Sequence, residues 1–123
     1  MGKKVLIVDD SSTMRKIVTR ALRQAGLDFE AILEAANGEE ALQALETQPV
    51  DIVLSDINMP TMDGIEFLRQ KATRDNIKSI PVVMITTEAG ADVLQEATAL
   101  GASGTIKKPF TPEQINQTIG SLL

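Results

Sequence analysis

The chain has 123 residues and a mass of 13.2 kDa, the length of one domain, with 43% apolar and 24% charged residues in ordinary globular proportion. Cys and His are both absent, which excludes disulfides, thiolate metal sites, imidazole catalysis and His-ligated zinc. A net charge of −5 and only three aromatics (Phe29, Phe67, Phe110) argue against a nucleic-acid partner. No apolar run nears the roughly 18–20 residues of a membrane span. The run from Val5 to Val8 is too short for a signal-peptide core, so a cytoplasmic location is expected.

Val5 to Val8 is a continuous apolar run, three of its four residues β-branched, between Lys and Asp, and predicts a strand buried on both faces. Ser11 and Ser12 are candidate N-caps for a helix whose face is Met14, Ile17, Val18, Ala21 and Leu22, with Gly26 as its stop. Ala31 to Leu33 predicts a short second strand, ended by Asn37-Gly38. A second helix shows Ala41, Leu42 and Leu45 and ends before Pro49. Ile52 to Leu54 is a third buried strand ending at Ser55-Asp56. A loop punctuated by Pro60 and Gly64 follows, then a helix marked by Ile65, Leu68 and Ala72. Val82 to Ile85 predicts a fourth strand, closed by Thr86-Thr87, and Val93, Ala97 and Leu100 a fourth helix. Thr105 to Lys107 is a short fifth strand. Thr111-Pro112-Glu113-Gln114 is a capping box with proline at the first helical position, ahead of Ile115, Ile119 and Leu122. Strands alternating with helices imply an α/β fold, a doubly wound parallel sheet with helices on both faces.

In such sheets the ligand site lies beyond the carboxyl ends of the strands. Asp9 and Asp10 follow strand one, Asp56 strand three, Thr86 strand four, and Lys108-Pro109 strand five. Carboxylates about 5 Å apart repel by roughly 3 kcal/mol per pair at an effective dielectric near 20. The remedies are a raised pKa or a bound cation, and an all-oxygen donor set suits Mg²⁺. A carboxylate is also a competent nucleophile for phosphoryl transfer, which depends on positioning and charge neutralisation more than on proton shuttling. Taken singly these residues have ordinary readings: Asp9 and Asp10 as helix-terminus acids, Thr86 as a strand former, Lys108 as a solvated charge.

Together and in this order, Asp9-Asp10, the stretch Asp56 to Gly64, Thr86 and Lys108-Pro109-Phe110 resemble a response-regulator receiver domain of the single-domain chemotaxis (CheY-like) type. The resemblance spans the whole chain. It implies a five-stranded (βα)5 flavodoxin/CheY-like sheet of order 2-1-3-4-5 and one receiver domain over residues 1–123. It implies that Asp56 is the phosphoacceptor and that Asp10, Asp56 and the backbone carbonyl of Asn58 bind Mg²⁺, with Asp9 acting through water. Lys108 would pair with the phosphoryl oxygens and Thr86 would hydrogen-bond the phosphoryl group. Asn58 and Glu88 would modulate its lifetime. The implied phosphodonor is a sensor histidine kinase, with a downstream protein target such as a flagellar motor switch, a possible phosphatase, and a monomeric state. One position departs from the family: Thr105 stands where a rotating aromatic or His is usual, so signalling through strand five is expected to be built differently.

Lys and Arg are absent between Gln24 and Leu68, where ten acids occur, whereas helix one carries Lys16, Arg20 and Arg23. That basic side reads either as a solvated face or as a docking surface for the phosphodonor. Two rivals share parts of the pattern. A flavodoxin-type electron carrier needs a phosphate cradle after strand one, where this chain has two acids. An Asp-nucleophile phosphatase usually spaces those acids one residue apart and adds a cap insertion, and this chain does neither.

Overall fold

The computed structural model describes residues 2–87 and 90–123. The elements are β1 (Lys4–Val8), α1 (Ser12–Gln24), β2 (Ala31–Ala35), α2 (Gly38–Thr47), β3 (Ile52–Ser55), α3 (Gly64–Ala72), β4 (Val82–Thr86), α4 (Ala91–Ala99), β5 (Gly104–Lys107) and α5 (Pro112–Gly120). All pairings are parallel and the order is β2-β1-β3-β4-β5, as the resemblance implied.

Side chains alternate across a strand, so one buried strand feeds two cores. Val5 and Ile7 of β1 join Ile52, Leu54, Val83 and Ile85 on the side covered by α1 and α5. Leu6 and Val8 join Val53, Val82 and Met84 on the side covered by α2, α3 and α4. The three central strands are buried throughout apart from Lys4, while β2 and β5 lie at the sheet edges and are only partly covered. Each fully buried Val, Leu or Ile contributes about 1.5–3 kcal/mol of burial free energy. No helix among the described residues is long and apolar enough to cross a membrane.

Local chemistry sets the element ends. The Ser11 side chain accepts from Met14 N–H, Asn37 from Glu40 N–H and Asp63 from Glu66 N–H. The capping box at Thr111 and Gln114 is complete. Gly26 follows α1 in the left-handed region, φ +80°, as a stop should. Three expectations need correction. β2 runs on through Glu34 to Ala35, because an edge strand tolerates an exposed charge. The strand ends at Ala35, ahead of Asn37-Gly38, because Asn37 is the N-cap of α2 and Gly38 its first helical residue. The buried face of α3 is Phe67, Leu68 and Lys71, with Ile65 half-buried, while Ala72 is exposed.

Candidate functional site

The carboxyl ends of β1, β3, β4 and β5 bring the predicted residues to one edge. Oxygens of Asp9, Asp10 and Asp56 lie within 4.8 Å of one another. Asp9 is buried, Asp56 half-buried and Asp10 exposed. Lys108 Nζ reaches in from the far side, 3.4 Å from Asp9 Oδ2 and 3.7 Å from Asp56 Oδ2. Its side chain is only 10% exposed, so this ammonium is committed to the cluster and is not a solvated strand-end charge. Three carboxylates against one ammonium leave a formal −2 at the cluster.

The backbone fixes each member. Asp9 N–H donates to Ala35 O and Asp56 N–H to Val8 O, which ties both loops to neighbouring strands. Asp9 Oδ1 accepts from Ser11 N–H at 2.9 Å. Asp56 Oδ1 accepts from Ile57 N–H at 2.7 Å, and the Ser55 hydroxyl donates to Asp56 O at 2.8 Å. Lys108 N–H donates to Thr86 O at 2.8 Å, and the Lys108–Pro109 peptide is cis. Gly64 shows why the acceptor loop needs a residue without a side chain. A Cβ there would collide with the Asp56 carbonyl and lie 2.8 Å from Met84 Cε.

Burial pushes the Asp56 carboxyl above the ordinary aspartate range, and the charges of Asp9 and Asp10 push the same way. The Ile57 N–H and Lys108 pull it down without cancelling that effect. A half-buried carboxyl facing two others is the environment that a cation relieves. The donor set is all oxygen and over-negative, and it opens to solvent at Asp10. That fits a hard divalent ion such as Mg²⁺, which binds through one or two carboxylates and keeps several waters.

Thr86 is buried at the end of β4, while Asn58 is exposed on the loop two residues past Asp56. Thr105 is exposed on β5 and pairs in register with Met84. Glu88 lies outside the described residues. Met59 and Met62 pack against the core as gap-fillers. One contributor escaped the sequence reading. Arg15 donates from a guanidinium NH to Asp9 O at 2.6 Å and from Nε to Glu34 Oε1 at 2.8 Å, bracing the loop after β1 against β2. Nothing local in the sequence pairs Arg15 with a residue nineteen positions away.

With this fold and this edge, the chain belongs to the response regulator receiver domain family, whose model matches residues 5–120. Proteins of that class serve two-component signal transduction, and this chain is of their CheY-like chemotaxis type. It is 41% identical over 116 residues to the chemotaxis protein CheY of Pseudomonas aeruginosa, covering 94% of this chain and 92% of that one. It is 37% identical over 121 residues to chemotaxis protein CheY1 of Helicobacter pylori strain 26695, covering 98% and 96% respectively. The crystal structure of Vibrio cholerae chemotaxis protein CheY4 superposes with a TM-score of 0.84 at 39% identity, covering 100% of both chains. A CheY-like receiver protein from Methanospirillum hungatei gives a TM-score of 0.81 at 26% identity, covering 98% of this chain and 93% of that one.

Proposed function

We propose that Asp56 is the phosphoacceptor of a stand-alone phosphorylation switch in chemotaxis signalling. The observation that carries the reading is the Asp9, Asp10 and Asp56 cluster closed on one side by Lys108. An Asp56 carboxylate oxygen forms the new P–O bond as the P–N bond to a kinase phosphohistidine breaks. The donor imidazole leaves with a proton. Lys108, already 3.7 Å from Asp56 Oδ2, neutralises phosphoryl oxygens. Asp10, Asp56 and the Asn58 carbonyl would hold Mg²⁺, with Asp9 acting through a coordinated water. The ion supplies charge neutralisation for in-line transfer. Thr86 hydrogen-bonds the phosphoryl group once formed, and Asn58 and Glu88 set access of the hydrolytic water. The chain catalyses only its own phosphoryl uptake and loss. It works as a cytoplasmic monomer, one receiver domain over residues 1–123.

The surface of α1 supports a docking reading for the phosphodonor. A mainly apolar groove of about 390 Å³ lies between Met14, Ile17, Thr87, Pro109 and Phe110, with Lys108 at its wall. Ile17 is 47% exposed, which singles it out among the large apolar residues described. Lys16, Arg20 and Arg23 flank it on the exposed side of α1. A histidine-bearing kinase helix with an apolar stripe and acidic flank fits that face. The output target, whether a flagellar motor switch or another protein, and any dedicated phosphatase would act on the phosphorylated form. A phosphorelay intermediate or a phosphate sink would use the same chemistry.

Acetyl phosphate with Mg²⁺ tests the assignment. The wild-type chain should gain one acid-labile phosphoryl mass and Asp56→Asn should gain none. An undiminished gain on the variant removes Asp56 from the role.

A further inference from the structure

Lys16, Arg20 and Arg23 stand four and three residues apart on α1, the spacing that brings side chains to one face of a helix. All three are exposed, and among the described ion pairs none of them has a carboxylate partner. With Thr19 and Glu34 they line a cleft of about 320 Å³ between α1 and the edge strand β2. Glu34 is a wall of the cleft and not their counter-ion, because its Oε1 accepts from Arg15 Nε at 2.8 Å. Half-buried Thr19 turns its hydroxyl back to Arg15 O at 2.9 Å. The cleft therefore concentrates three uncompensated cations in a chain whose net charge is −5.

We propose that this cleft binds a phosphoanhydride chain of three or more phosphates, free or carried by a nucleotide, and that its occupancy closes the basic side of α1 to the phosphodonor. The second half rests on the docking reading above; the first half does not. Two guanidinium forks present paired N–H donors, the geometry that matches phosphate oxygens bidentately, and the Lys16 ammonium adds a point charge. Lys16 to Arg23 covers about 10 Å of helix at 1.5 Å per residue. A single phosphate meets one or two of these cations, whereas a chain of three reaches them all. The volume lies at the lower end of the roughly 300–1,000 Å³ usual for small-molecule sites. The lining includes no aromatic or large apolar side chain, so neither a nucleobase nor the apolar anchor of a peptide finds a surface there. The groove at Ile17 and Phe110 supplies that kind of surface instead, on another part of α1.

The test of the site is a backbone NMR titration of the whole chain with sodium tripolyphosphate in EDTA at low ionic strength. Without a divalent ion the carboxylates of Asp9, Asp10 and Asp56 repel the anion, so the acidic cluster does not compete for it. Saturable shifts are expected from Lys16 to Gln24 and at Glu34. The dissociation constant should be on the order of 0.1 mM, at least tenfold tighter than for orthophosphate, and should weaken by about tenfold or more between about 10 and 150 mM salt. Arg20→Gln and Arg23→Gln should each weaken binding by about fivefold or more, and Arg23→Lys, which keeps the charge and loses the fork, should weaken it as well. ATP should bind no tighter than tripolyphosphate.

Absence of saturable shifts, equal shifts with sulfate at matched ionic strength, or unchanged binding by both Gln variants overturns the site. Tighter binding of ATP overturns the phosphate chain as the element recognised, and tighter binding of a hexaglutamate peptide overturns the ligand class in favour of an acidic protein segment. For the second half, tripolyphosphate at fixed free Mg²⁺ should slow phosphoryl transfer from the prephosphorylated cognate kinase and leave acetyl phosphate uptake unchanged. Binding with undiminished transfer sinks the competition and leaves the cleft. Binding with no acetyl phosphate uptake at all sinks the phosphoacceptor reading alone.

Discussion

Lys71 carries an ammonium into the α3 side of the core, where it is 4% exposed and donates from Nζ to Lys78 O at 2.9 Å. Burial alone pulls its pKa from 10.5 down to about 8. The folded state therefore disfavours the charged form. That penalty is present below pH 8 and is relieved as pH rises from about 8 to 10.5. At 1.36 kcal/mol per pKa unit it is roughly 3 kcal/mol. Lys71→Met should raise the urea midpoint at pH 7 and flatten the alkaline rise in stability, both read from denaturation curves between pH 7 and 11. A steeper alkaline rise in the variant would contradict this account. Asp56 has the opposite sign of shift and a parallel consequence. Its carboxyl is held above the usual range, so ionisation weakens the metal-free fold as pH climbs past 3.8 and through the raised value. Asp56→Asn should melt higher than wild type at pH 7 without divalent ions, and the gap should close below pH 3.8, where both side chains are neutral. A lower melting temperature for the variant at pH 7 would mean that the ion pair with Lys108 outweighs burial and repulsion.

At the scale of elements, α1 does two jobs with two faces. Val18, Ala21 and Leu22 seal one core, while Ile17, Lys16, Arg20 and Arg23 stay outside. The outer basic residues are not consumed by structure. Among the described ion pairs of α1, only Arg15 has a partner, Glu34. Much of the acidic stretch between Gln24 and Leu68 is, by contrast, occupied. Glu46 binds Arg74 and Asn76, Glu66 binds Arg69 and Gln70, Asp51 accepts from Lys4 N–H, and Asp63 caps α3. That stretch is largely scaffolding rather than a uniform patch, which leaves the basic side of α1 as the docking surface proposed above. Reversing Lys16, Arg20 and Arg23 to Glu should slow transfer from the cognate kinase by about tenfold or more, since charge acts mainly on encounter. Uptake from acetyl phosphate should stay within about twofold, because none of the three lies in the acidic cluster. Equal kinase rates for both proteins would return this face to plain solvation.

At the scale of the molecule, the metal-free site is a local weakness that the proposed Mg²⁺ would relieve. Three acids converge because parallel strands end together at one edge, and the −2 excess there opposes folding of the metal-free chain. Mg²⁺ should raise the unfolding free energy with the logarithm of its concentration, by about 2.7 kcal/mol at a hundredfold excess over its dissociation constant. Asp10→Asn should blunt that rise, and calorimetry with and without Mg²⁺ reads both. A Mg²⁺-independent melting temperature in the wild type would remove the metal from the account.

The order of strands and helices, both helix-cap chemistries at the chain's ends and the membership of the acidic cluster were all written in the sequence. Buried strands announce themselves as unbroken apolar runs, as at Val5 to Val8 and Val82 to Ile85, and the chemistry-bearing residues stand immediately after them. What stayed hidden depends on contacts between distant segments. Arg15 finds Glu34 across nineteen positions, the Lys78 carbonyl accepts from the buried Lys71 ammonium, and Thr105 of β5 walls a cavity with Leu94 of α4. Periodicity records which residues avoid water; which polar groups meet, and where a small side chain leaves a hole, is decided by packing between elements that no local window contains.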